Sequence, residues 1–517
     1  MPTRRILIRS GKHPFTVLSP EATLARERVA TFAGNVGNVL FMDSVTKAVS
    51  APDVEVVPNS MITERPIADE FYAEKVNDEF DALVLPMANA FKEKFSQQMV
   101  TMTDVINKLD IPVTIVGIGA QWKFGEDRDI MPPDFHEIAR AFVAAVLDHS
   151  ASIGVRGEAT KDFLKYLGFG DEHVDVIGCP SLFREQAPPA VRPAPAIDPG
   201  SRIAMSVTPD LELISPIIGH HVEKYPRLTY VAQESPELAL ALYGEPVPYW
   251  RAQRLTRRKG VDDIRLPLHW DHPLYQEDRI RNFVDATTWF DFMRTQDFAF
   301  GTRLHGTIAA LVVGTPAVMI THDSRTTELA DFHRMPHRPL TQELTEIDVA
   351  ELAADADFTA FNAERAHGFA NYLSFLEKND IDHIFRHEGA AEAWEAELST
   401  RVFPPAVHTL MAPEPQFRRD MAARLIWLRQ SHTRDAQRTA AGAYKVPFDG
   451  GAGRPRKAPP KPKPVVVTPP PPPPPTRSEV LVRRARRLAA GVLAPLRPRR
   501  PTRGGPTQAP VEGPATT

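Results

Sequence analysis

The sequence predicts an α/β protein of two lobes, each built around a parallel sheet, followed by a separate basic tail. Short apolar runs alternate with longer amphipathic stretches up to residue 345, which is typical of parallel α/β architecture. A proline-rich segment at 187–200 divides this alternation in two, and the composition changes again from residue 450. With 517 residues, 43% hydrophobic and 24% charged, the chain is unlike a collagen, a coiled coil or a wholly disordered protein.

The first lobe, 1–190, is predicted to alternate strands with helices. Apolar runs predict strands at 5–8, 53–57, 82–85, 113–118, 152–155 and 174–177. Between them, apolar residues recur at helical spacing and predict helices at 39–51, 101–108, 135–149 and 159–167. Gly168 follows the last of these helices and is placed to end it.

The second lobe, 200–345, repeats the pattern after the linker. Strands are predicted at 202–206, 228–231, 298–301 and 317–320, and helices at 236–242, 286–294, 307–313 and 326–332. Ser235 is predicted to cap the first of these helices, with Pro236 as its first residue. Closing helices over 346–445 are expected at 348–372, 390–400 and 416–431. Two such lobes leave a cleft between the carboxyl ends of their sheets, where ligands bind.

The tail, 450–517, differs from the body in charge. It holds 18 of the 50 prolines and 14 lysines and arginines against two acids, although the whole chain has a net charge of −4. The body is therefore acidic. Repeated proline removes backbone donors, so 454–475 is predicted to be a disordered, extended spacer. At helical spacing, 479–496 places leucine and valine on one face and four arginines on the other.

This basic amphipathic helix predicts a partner for the tail. We expect 479–500 to lie on an anionic membrane surface or to dock on an acidic partner; a solvated tail without function is the alternative. Nucleic acid is not expected, because the tail lacks interleaved aromatic residues. The single Cys179 excludes a disulfide framework. The expected location is the cytoplasm, at the inner face of the cell membrane if the tail binds lipid.

A glycine-containing loop precedes the first of the predicted helices. It includes Gly34, Asn35, Gly37 and Asn38. Glycine lets backbone N–H groups turn toward an anion, and the helix start adds positive potential; a tight turn is the alternative. The loop has neither the dinucleotide fingerprint nor the Gly-Lys of a Walker A motif, so hydrolysis of a nucleotide by a P-loop is not expected.

Two polar residues follow other apolar strands. Gln121 comes after Gly-Ile-Gly-Ala at the end of a buried run, where its amide can bond a substrate or serve only strand-end packing. Arg156 ends the next strand, and burying an arginine is unfavourable unless it meets an anion. Pairing with Glu158 or Asp162 is the alternative.

The segment Gly301-Thr-Arg303-Leu-His305-Gly306 leads from an apolar strand directly into an apolar helix. Arg303 and His305 alternate along it, so both are predicted to face the same side. They supply a guanidinium fork and a titratable imidazole near a helix start, which favours negative charge. One strand later, Arg325 stands at a similar junction, and Glu328 lies in the helix that follows.

Six segments together resemble the polysaccharide pyruvyl transferases. In chain order they are Gly34-Asn35-Val-Gly37-Asn38, Gly117-Ile-Gly119-Ala-Gln121, Val155-Arg156-Gly-Glu158, Ile177-Gly-Cys179-Pro180-Ser181, Gly301-Thr-Arg303-Leu-His305-Gly306 and His322-Asp323-Ser-Arg325. The resemblance spans 30–340 and leaves out the tail. It implies a two-lobed, Rossmann-like fold similar to the GT-B glycosyltransferases, with phosphoenolpyruvate (PEP) as donor and a pair of sugar hydroxyls as acceptor.

The resemblance also implies roles for residues of this chain. Arg303, Leu304 and His305 would contact the donor, and Arg156 would help to hold its anionic groups. The expected substrate-binding set is completed by Asn35, Gly37, Asn38, Gln121, Gly306, Arg325 and Glu328. PEP carries a phosphate and a carboxylate, so a site without a metal needs several cations. Neither a metal nor a cofactor beyond the donor substrate is expected.

Ketal formation needs a proton on the methylene carbon of PEP and the loss of a proton from the attacking hydroxyl. A group that titrates near neutral pH suits both steps, so we predict His305 as the general acid or base. Arg303 is predicted to neutralise the leaving phosphate. Two alternatives remain: a GT-B glycosyltransferase that uses a nucleotide-sugar, with Glu328 on the ribose, and a non-catalytic scaffold of polysaccharide assembly.

Overall fold

The computed structural model describes residues 4–26, 34–122, 131–209, 211, 213–244, 267–346, 348–415 and 419. All of them belong to one structural unit, Met1–Lys463. The predicted helix at 416–431 (apart from residue 419), the proline-rich spacer and the amphipathic helix at 479–496 lie outside the described residues and stay predictions. Within the described ranges, no helix is both long enough and apolar enough to cross a membrane.

The first lobe contains a parallel sheet of buried apolar strands. Its strands are β1 (Arg4–Ile8), β2 (Val54–Pro58), β3 (Ala82–Pro86) and β4 (Val113–Val116), in the order β2-β1-β3-β4. Two further strands, β5 (Ile153–Val155) and β6 (Val174–Val176), pair in parallel, and a parallel bridge joins Val155 to Ile118, just past β4. The chain leaves neighbours β1 and β3 toward opposite edges of the sheet, which opens a crevice at their carboxyl ends.

Helices lie between the strands of the first lobe, and two of them show why a helix starts where it does. The helices are α1 (Pro20–Ala25), α2 (Val36–Ala48), α3 (Glu70–Glu79), α4 (Ser96–Ile106), α5 (Pro133–Leu147) and α6 (Glu158–Tyr166). The side chain of Asn35 caps α2. Pro133 begins α5, where its missing N–H leaves no hydrogen bond unmade.

The second lobe contains a six-stranded sheet in which every neighbouring pair is parallel. Its strands are β7 (Ile203–Met205), β8 (Leu228–Ala232), β9 (Ile280–Asn282), β10 (Phe298–Gly301), β11 (Ala317–Thr321) and β12 (His337–Pro339). The order β12-β11-β10-β7-β8-β9 is that of a doubly wound Rossmann sheet. Its strand order reverses between β7 and β10. The predicted fold class, α/β with two parallel-sheet lobes of GT-B-like arrangement, is confirmed.

Helices cover the second sheet, and the chain then returns to the first lobe. They are α7 (Ile214–Lys224), α8 (Ser235–Tyr243), α9 (Pro273–Gln276), α10 (Ala286–Arg294), α11 (Leu304–Val312), α12 (Ser324–Phe332), α13 (Val349–Ala354), α14 (Thr359–Lys378) and α15 (Ala390–Ser399). Asn379, which ends α14, accepts bonds of 3.1 Å from the N–H groups of Ala151 and Ser152 at the start of β5.

Six of these elements were not predicted: α1, α3, α7, α9, β9 and β12. The helices α1 and α9 have six and four residues, too few to show a period. In α3 only Tyr72, Ala73 and Val76 are buried among many charged residues, so its apolar periodicity is weak. In α7, Pro216 suggests a break, but it lies in the first turn, where its missing N–H has no partner to lose. The strands β9 and β12 have three residues each, too few to show a period.

Several predicted boundaries were wrong. The helices predicted at 39–51 and 101–108 are α2 and α4, which begin three and five residues earlier, and three further cases have a clear physical reason. The helix expected at 348–372 is two helices, because Asp357 accepts a 2.9 Å bond from the N–H of Thr359 and starts a new one. The cap of α8 is Glu234 and not Ser235, through a capping box with Glu237. The helix expected from residue 307 begins at Leu304, which places Arg303 at its N-cap.

One apolar cluster spans both lobes, in addition to a separate cluster within each of them. Helix α2 is buried along its whole length except at Asn38. Its residues Val36 and Leu40 belong to the same apolar cluster as Ile308 and Leu311 of α11. The segment at 187–200, predicted as a linker, contains neither helix nor strand. The lobes are therefore linked in sequence by a loop and in space by packed side chains.

Candidate active site

A cavity of about 1200 Å³ opens between the carboxyl ends of the two sheets. Its first-lobe wall comes from the loops after β1 and β3 and from the start of α2. Its second-lobe wall comes from the loops after β7, β8, β10 and β11. The points where the strand order reverses, between β1 and β3 and between β7 and β10, both face it. Because open α/β sheets bind ligands at such points, this cavity is the candidate active site.

At the start of α2, the backbone N–H groups that the sequence suggested for binding an anion already donate hydrogen bonds within the protein. The N–H of Gly37 donates to Asn35 Oδ1 at 2.7 Å, and the N–H of Val36 donates to Gln233 O at 3.0 Å. Asn35 and Asn38 line the cavity. This loop therefore presents amide side chains to a ligand, and not the Gly37 N–H.

Arg303 lines the cavity at the N-terminus of α11, with its positive charge already matched. One terminal nitrogen donates to Glu237 Oε2 at 2.6 Å, and the other lies 3.6 Å from Glu234 Oε1. Glu237 also accepts bonds from the N–H of Gln233 and from the Tyr230 hydroxyl. Burial disfavours the charge of Arg303, but Glu237 and its neighbours outweigh this and raise its pKa. Arg303 is therefore a permanent cation, held in one orientation.

His305 lies in the first turn of α11 and is 9% exposed on the cavity wall. Its Nε2 lies 3.9 Å from Cys179 Sγ, and Gly37 packs against its other ring nitrogen. Burial, followed by the positive charges of Arg156 and Arg325, holds the pKa of the imidazole well below its usual range. In the ligand-free protein His305 is therefore a neutral base at neutral pH, and does not titrate there as the sequence suggested.

Arg156 is fully buried at the end of β5 and does not reach the cavity wall itself. Its Nε donates to Gly117 O at 2.9 Å, and its guanidinium lies 4.9 Å from the ring centroid of Phe41, which lines the cavity. Its two terminal nitrogens have no hydrogen-bond partner in the described structure, and no ion pair with Glu158 or Asp162 forms among those residues. Burial is the main reason why its pKa falls to about 10.

Gln121 and Arg325 come together across the cleft through Asp323. The Gln121 amide donates to Asp323 Oδ2 at 2.7 Å and accepts a 2.6 Å bond from the Asn89 amide. A terminal nitrogen of Arg325 lies 3.5 Å from the same Asp323 oxygen, while its Nε has no hydrogen-bond partner in the described structure. All four side chains line the cavity. The first-lobe glutamine thus helps to fix the second-lobe cation.

Glu328 joins the lobes instead of lining the cavity. It accepts bonds from the N–H and the hydroxyl of Thr160 in α6, at 2.9 and 2.8 Å. A Cβ atom on Gly157 would lie 2.8 Å from Glu328 Oε2, so the two backbones approach closely here. Burial raises the pKa of Glu328 to about 7, against the bonds from Thr160 and the charges of Arg156 and Arg325.

The remaining predicted residues of the 301–306 segment have separate positions. Leu304 lines the cavity beside Arg303. Gly306 does not: it packs on Ser206 at the end of β7, and any side chain there would collide with the serine. The structure therefore brings Leu304 to the ligand space and leaves Gly306 as a packing position.

The cavity residues that were missed in the sequence include Asn89, Lys92 and Glu234. The first two follow β3, and polar residues after a parallel strand are a usable signal for a ligand site. Glu234 follows β8 directly and would have been found by the same rule. Glu237, the partner of Arg303, carries no such signal, because it lies within α8.

A group of possible metal ligands lies elsewhere in the second lobe. Within the described ranges, His220, His221 and Asp348 bring one ligand atom each within 4.8 Å of one another. The ring of His221 is already engaged on both sides, since Nδ1 bonds Ile217 O at 2.6 Å and Nε2 accepts from the Val349 N–H at 3.0 Å. Hydrogen bonding accounts for this group without an ion.

The family profile described as Polysaccharide pyruvyl transferase matches residues 35–324, which is more than half of the chain. The chain belongs to this family. The matched residues run from the cap of α2 to the start of α12 and include most of both cavity walls. The pyruvyl transferase family is thus shown over both lobes, and membership makes the chain a transferase. No curated protein sequence matches it.

Several solved structures are similar in fold to this pyruvyl transferase family member. The co-structure of S. aureus MnaA with UDP has 10% identity and a TM-score of 0.37, and covers 78% of this chain and 99% of its own. Anabaena HepE in complex with UDP and glucose has 12% identity, a TM-score of 0.33 and coverages of 77% and 100%. UDP-N-acetylglucosamine 2-epimerase from Rickettsia bellii has 12% identity and a TM-score of 0.37, and covers 77% of this chain and 96% of its own. At these values nothing follows about ligands.

Proposed function

We propose that the chain transfers the three-carbon unit of PEP to two hydroxyls of a saccharide, forming a cyclic ketal and releasing phosphate. The observation that carries this proposal is the imidazole of His305 on the cavity wall, which burial and the positive charges of Arg156 and Arg325 keep neutral. Both arginines have nitrogen atoms without a hydrogen-bond partner in the described structure. Such a group suits a small trianion, because unpaired buried cations are stabilised when an anion binds.

The reaction needs two proton transfers that balance within the site. The first hydroxyl oxygen attacks C2 of PEP, and its proton is moved to the methylene carbon C3, which becomes a methyl group. The C2–O bond to phosphate breaks, and phosphate leaves with the electron pair. The second hydroxyl oxygen then bonds to C2, and its proton leaves with the phosphate. The products are a pyruvate ketal and hydrogen phosphate.

His305 is the group that we propose for the first proton transfer. As a neutral base in the empty site, it is in the form that accepts the hydroxyl proton. Bound PEP adds negative charge beside the imidazole, which stabilises the imidazolium and lets it deliver the proton to C3. His305 therefore serves as both base and acid. If it were always protonated, a second residue would have to accept the hydroxyl proton.

Arg303 has a narrower role than the sequence suggested. Glu237 and Glu234 already balance its charge, so it does not act as a free cation. It can still donate one hydrogen bond to the leaving phosphate from the terminal nitrogen that has no hydrogen-bond partner in the described structure. Arg156 has no carboxylate within ion-pair distance among the described residues, and Arg325, although 3.5 Å from Asp323, keeps an Nε without a hydrogen-bond partner there. We propose that Arg325 contacts the leaving phosphate from the cavity wall, and that the buried Arg156 stabilises it through its charge.

The two alternatives have weaker support. A nucleotide-sugar donor would place its ribose on Glu328, whose carboxylate instead accepts two bonds from Thr160. Its diphosphate would approach the second-lobe loops, where Glu234 and Glu237 carry negative charge. A scaffold without catalysis has no need for the two unpaired nitrogens of buried Arg156.

The test is to incubate the full-length protein with PEP and a panel of saccharides, following phosphate release and product mass. We expect acceptor-dependent phosphate release, and thermal protection by PEP and not by a nucleotide-sugar. His305→Gln should lower the rate by about 10²–10⁴-fold with PEP binding retained. The control is His337→Gln, since His337 lies outside the cavity lining. Protection by a nucleotide-sugar alone would favour the glycosyltransferase, and absence of phosphate release would favour the scaffold.

A further inference from the structure

Lys92 is a cavity residue that neither the sequence nor the proposed chemistry has used. It follows β3 and begins a single 3₁₀ turn at Glu93–Phe95. The backbone just before it is held firmly, because the Phe91 N–H donates to Gly119 O and Phe91 O accepts from the Gln121 N–H, both at 3.2 Å. Lys92 is half-buried and lines the cavity from this fixed position.

The other strong cations of the cavity wall each have a carboxylate nearby. Arg9 is paired with Glu64, Arg303 with Glu237, and Arg325 lies 3.5 Å from Asp323. Lys92 has no carboxylate within ion-pair distance among the residues that the structure describes.

The surroundings of Lys92 are also positive. Burial, and then the charges of Arg325, Lys94 and Arg9, lower the pKa of its ammonium group. Like charges that face one another in a half-buried place are unfavourable unless an anion joins them. This end of the cavity therefore has a positive charge that the protein itself leaves unbalanced.

The end of the cavity around Arg303 has the reverse character. There Glu234 and Glu237 flank Arg303, so two carboxylates accompany one guanidinium. A phosphate that carries two negative charges is repelled from that end and attracted to the end with Lys92 and Arg325. The distribution of charge thus gives an anionic ligand a preferred orientation.

We propose that Lys92 of the first lobe, together with Arg325 of the second, forms a phosphate-binding corner of the cavity. This inference rests on the proposed function for the identity of the ligand, the phosphate of PEP. An ammonium group on a flexible stem suits a phosphate, because it can donate to any of the three oxygens. Lys92 would then act on substrate binding, and His305 on proton transfer.

The test compares two lysines of one short segment. Lys92→Met removes the cavity charge, whereas Lys94→Met removes an exposed charge two residues away that does not line the cavity. Calorimetric titration of the full-length proteins with PEP and, separately, with inorganic phosphate measures the affinity. We expect Lys92→Met to weaken both ligands by about tenfold to a hundredfold, Lys94→Met to change them little, and Lys92→Arg to restore most of the affinity.

The outcomes separate this inference from the proposed function. If wild type releases phosphate from PEP and Lys92→Met binds PEP as tightly as wild type, the phosphate-binding role of Lys92 is overturned and the proposed function stands. If wild type binds phosphate but not PEP, and Lys92→Met loses phosphate, the proposed function fails and the corner stands. If wild type binds neither ligand, both are overturned. Unchanged unfolding curves for the variants show that the fold is intact.

Discussion

Gly37 and His305 are in contact across the two lobes, so closely that a Cβ atom on Gly37 would lie 2.6 Å from His305 Nδ1. Gly37 is in the first turn of α2, and His305 is in the first turn of α11. The two helices thus meet at their N-termini beside the cavity. A residue without a side chain is required at position 37 to leave the imidazole in its place.

We therefore expect Gly37→Ala to impair activity more than folding. The added methyl group must push the His305 ring away, and displacing a catalytic group by a fraction of an ångström to an ångström lowers turnover by about a hundredfold. The free energy of unfolding should fall by about 1–3 kcal/mol, as in other overpacked sites. Phosphate release and urea denaturation measure the two effects. Gly219→Ala, at a helical glycine with open space around its Cβ position, should leave activity unchanged.

Replacing Arg156 by Met should separate ligand binding from stability. Because the two terminal nitrogens of Arg156 have no hydrogen-bond partner in the described structure, removing this buried charge should lower the free energy of unfolding by no more than about 1 kcal/mol. The affinity for PEP should fall by about tenfold or more. Urea denaturation and calorimetry give both values.

Arg365→Met is the matched control for that variant. Arg365 is also an arginine with buried nitrogens that lack a hydrogen-bond partner in the described structure, but it lines a separate pocket of about 190 Å³. Its replacement should leave the affinity for PEP unchanged. A large loss of stability in Arg156→Met with normal PEP binding would instead give Arg156 a structural role.

Glu328 makes the stability of the protein depend on pH. Its pKa is about 7 in the folded protein, against 4.5 for the ordinary carboxyl group. Between pH 4.5 and about 7, Glu328 is therefore protonated in the folded state and ionised in the unfolded state. The stability that Glu328 contributes is fully present below pH 4.5 and is lost as the pH rises to about 7.

The change Glu328→Gln should remove this dependence, because glutamine does not titrate. We expect the free energy of unfolding of wild type minus that of the variant to fall by up to about 3 kcal/mol between pH 4.5 and pH 8. Denaturant titrations at several pH values give this difference, in which the other titrating groups cancel. A difference independent of pH would mean that Glu328 has an ordinary pKa.

Deleting 450–517 should show that the tail acts in membrane binding and not in the transfer reaction. The predicted spacer and basic helix lie beyond both lobes in sequence, so acceptor-dependent phosphate release should be unchanged. Sedimentation with vesicles that contain anionic lipid should be lost, because the four arginines of 483–487 supply the attraction. Equal vesicle binding by the two proteins would show that the tail has no such role.

The local sequence pattern was sufficient to predict an element where that element is apolar and regular. The strands β3, β10 and β11 are almost entirely apolar runs in parallel sheets, and such runs are visible in the sequence. Pattern was insufficient where tertiary contacts decide the structure. The helix α7 forms although Pro216 and Gly219 lie in it, because one side of it is buried against the second sheet.

The candidate site shows the same division. His305, Arg325 and Gln121 could be found because each follows a strand whose end faces the cleft. The contact between Arg303 and Glu237 could not, since the residues are 66 positions apart and meet only through the folding of β8 and α8 beside β10. Lys92 was missed because a lone lysine after a strand is more often a solvated side chain, and its unbalanced charge appears only in three dimensions.

The burial of α2 has a consequence for how the polypeptide must be assembled. Its apolar surface is divided between the sheet of the first lobe and the helices α10 and α11 of the second. A fragment that stopped in the linker at 187–200 would leave one side of this helix in water and would be prone to aggregate. The first half is therefore not expected to mature alone on the ribosome, and the candidate cleft forms only when the later-synthesised half packs against it.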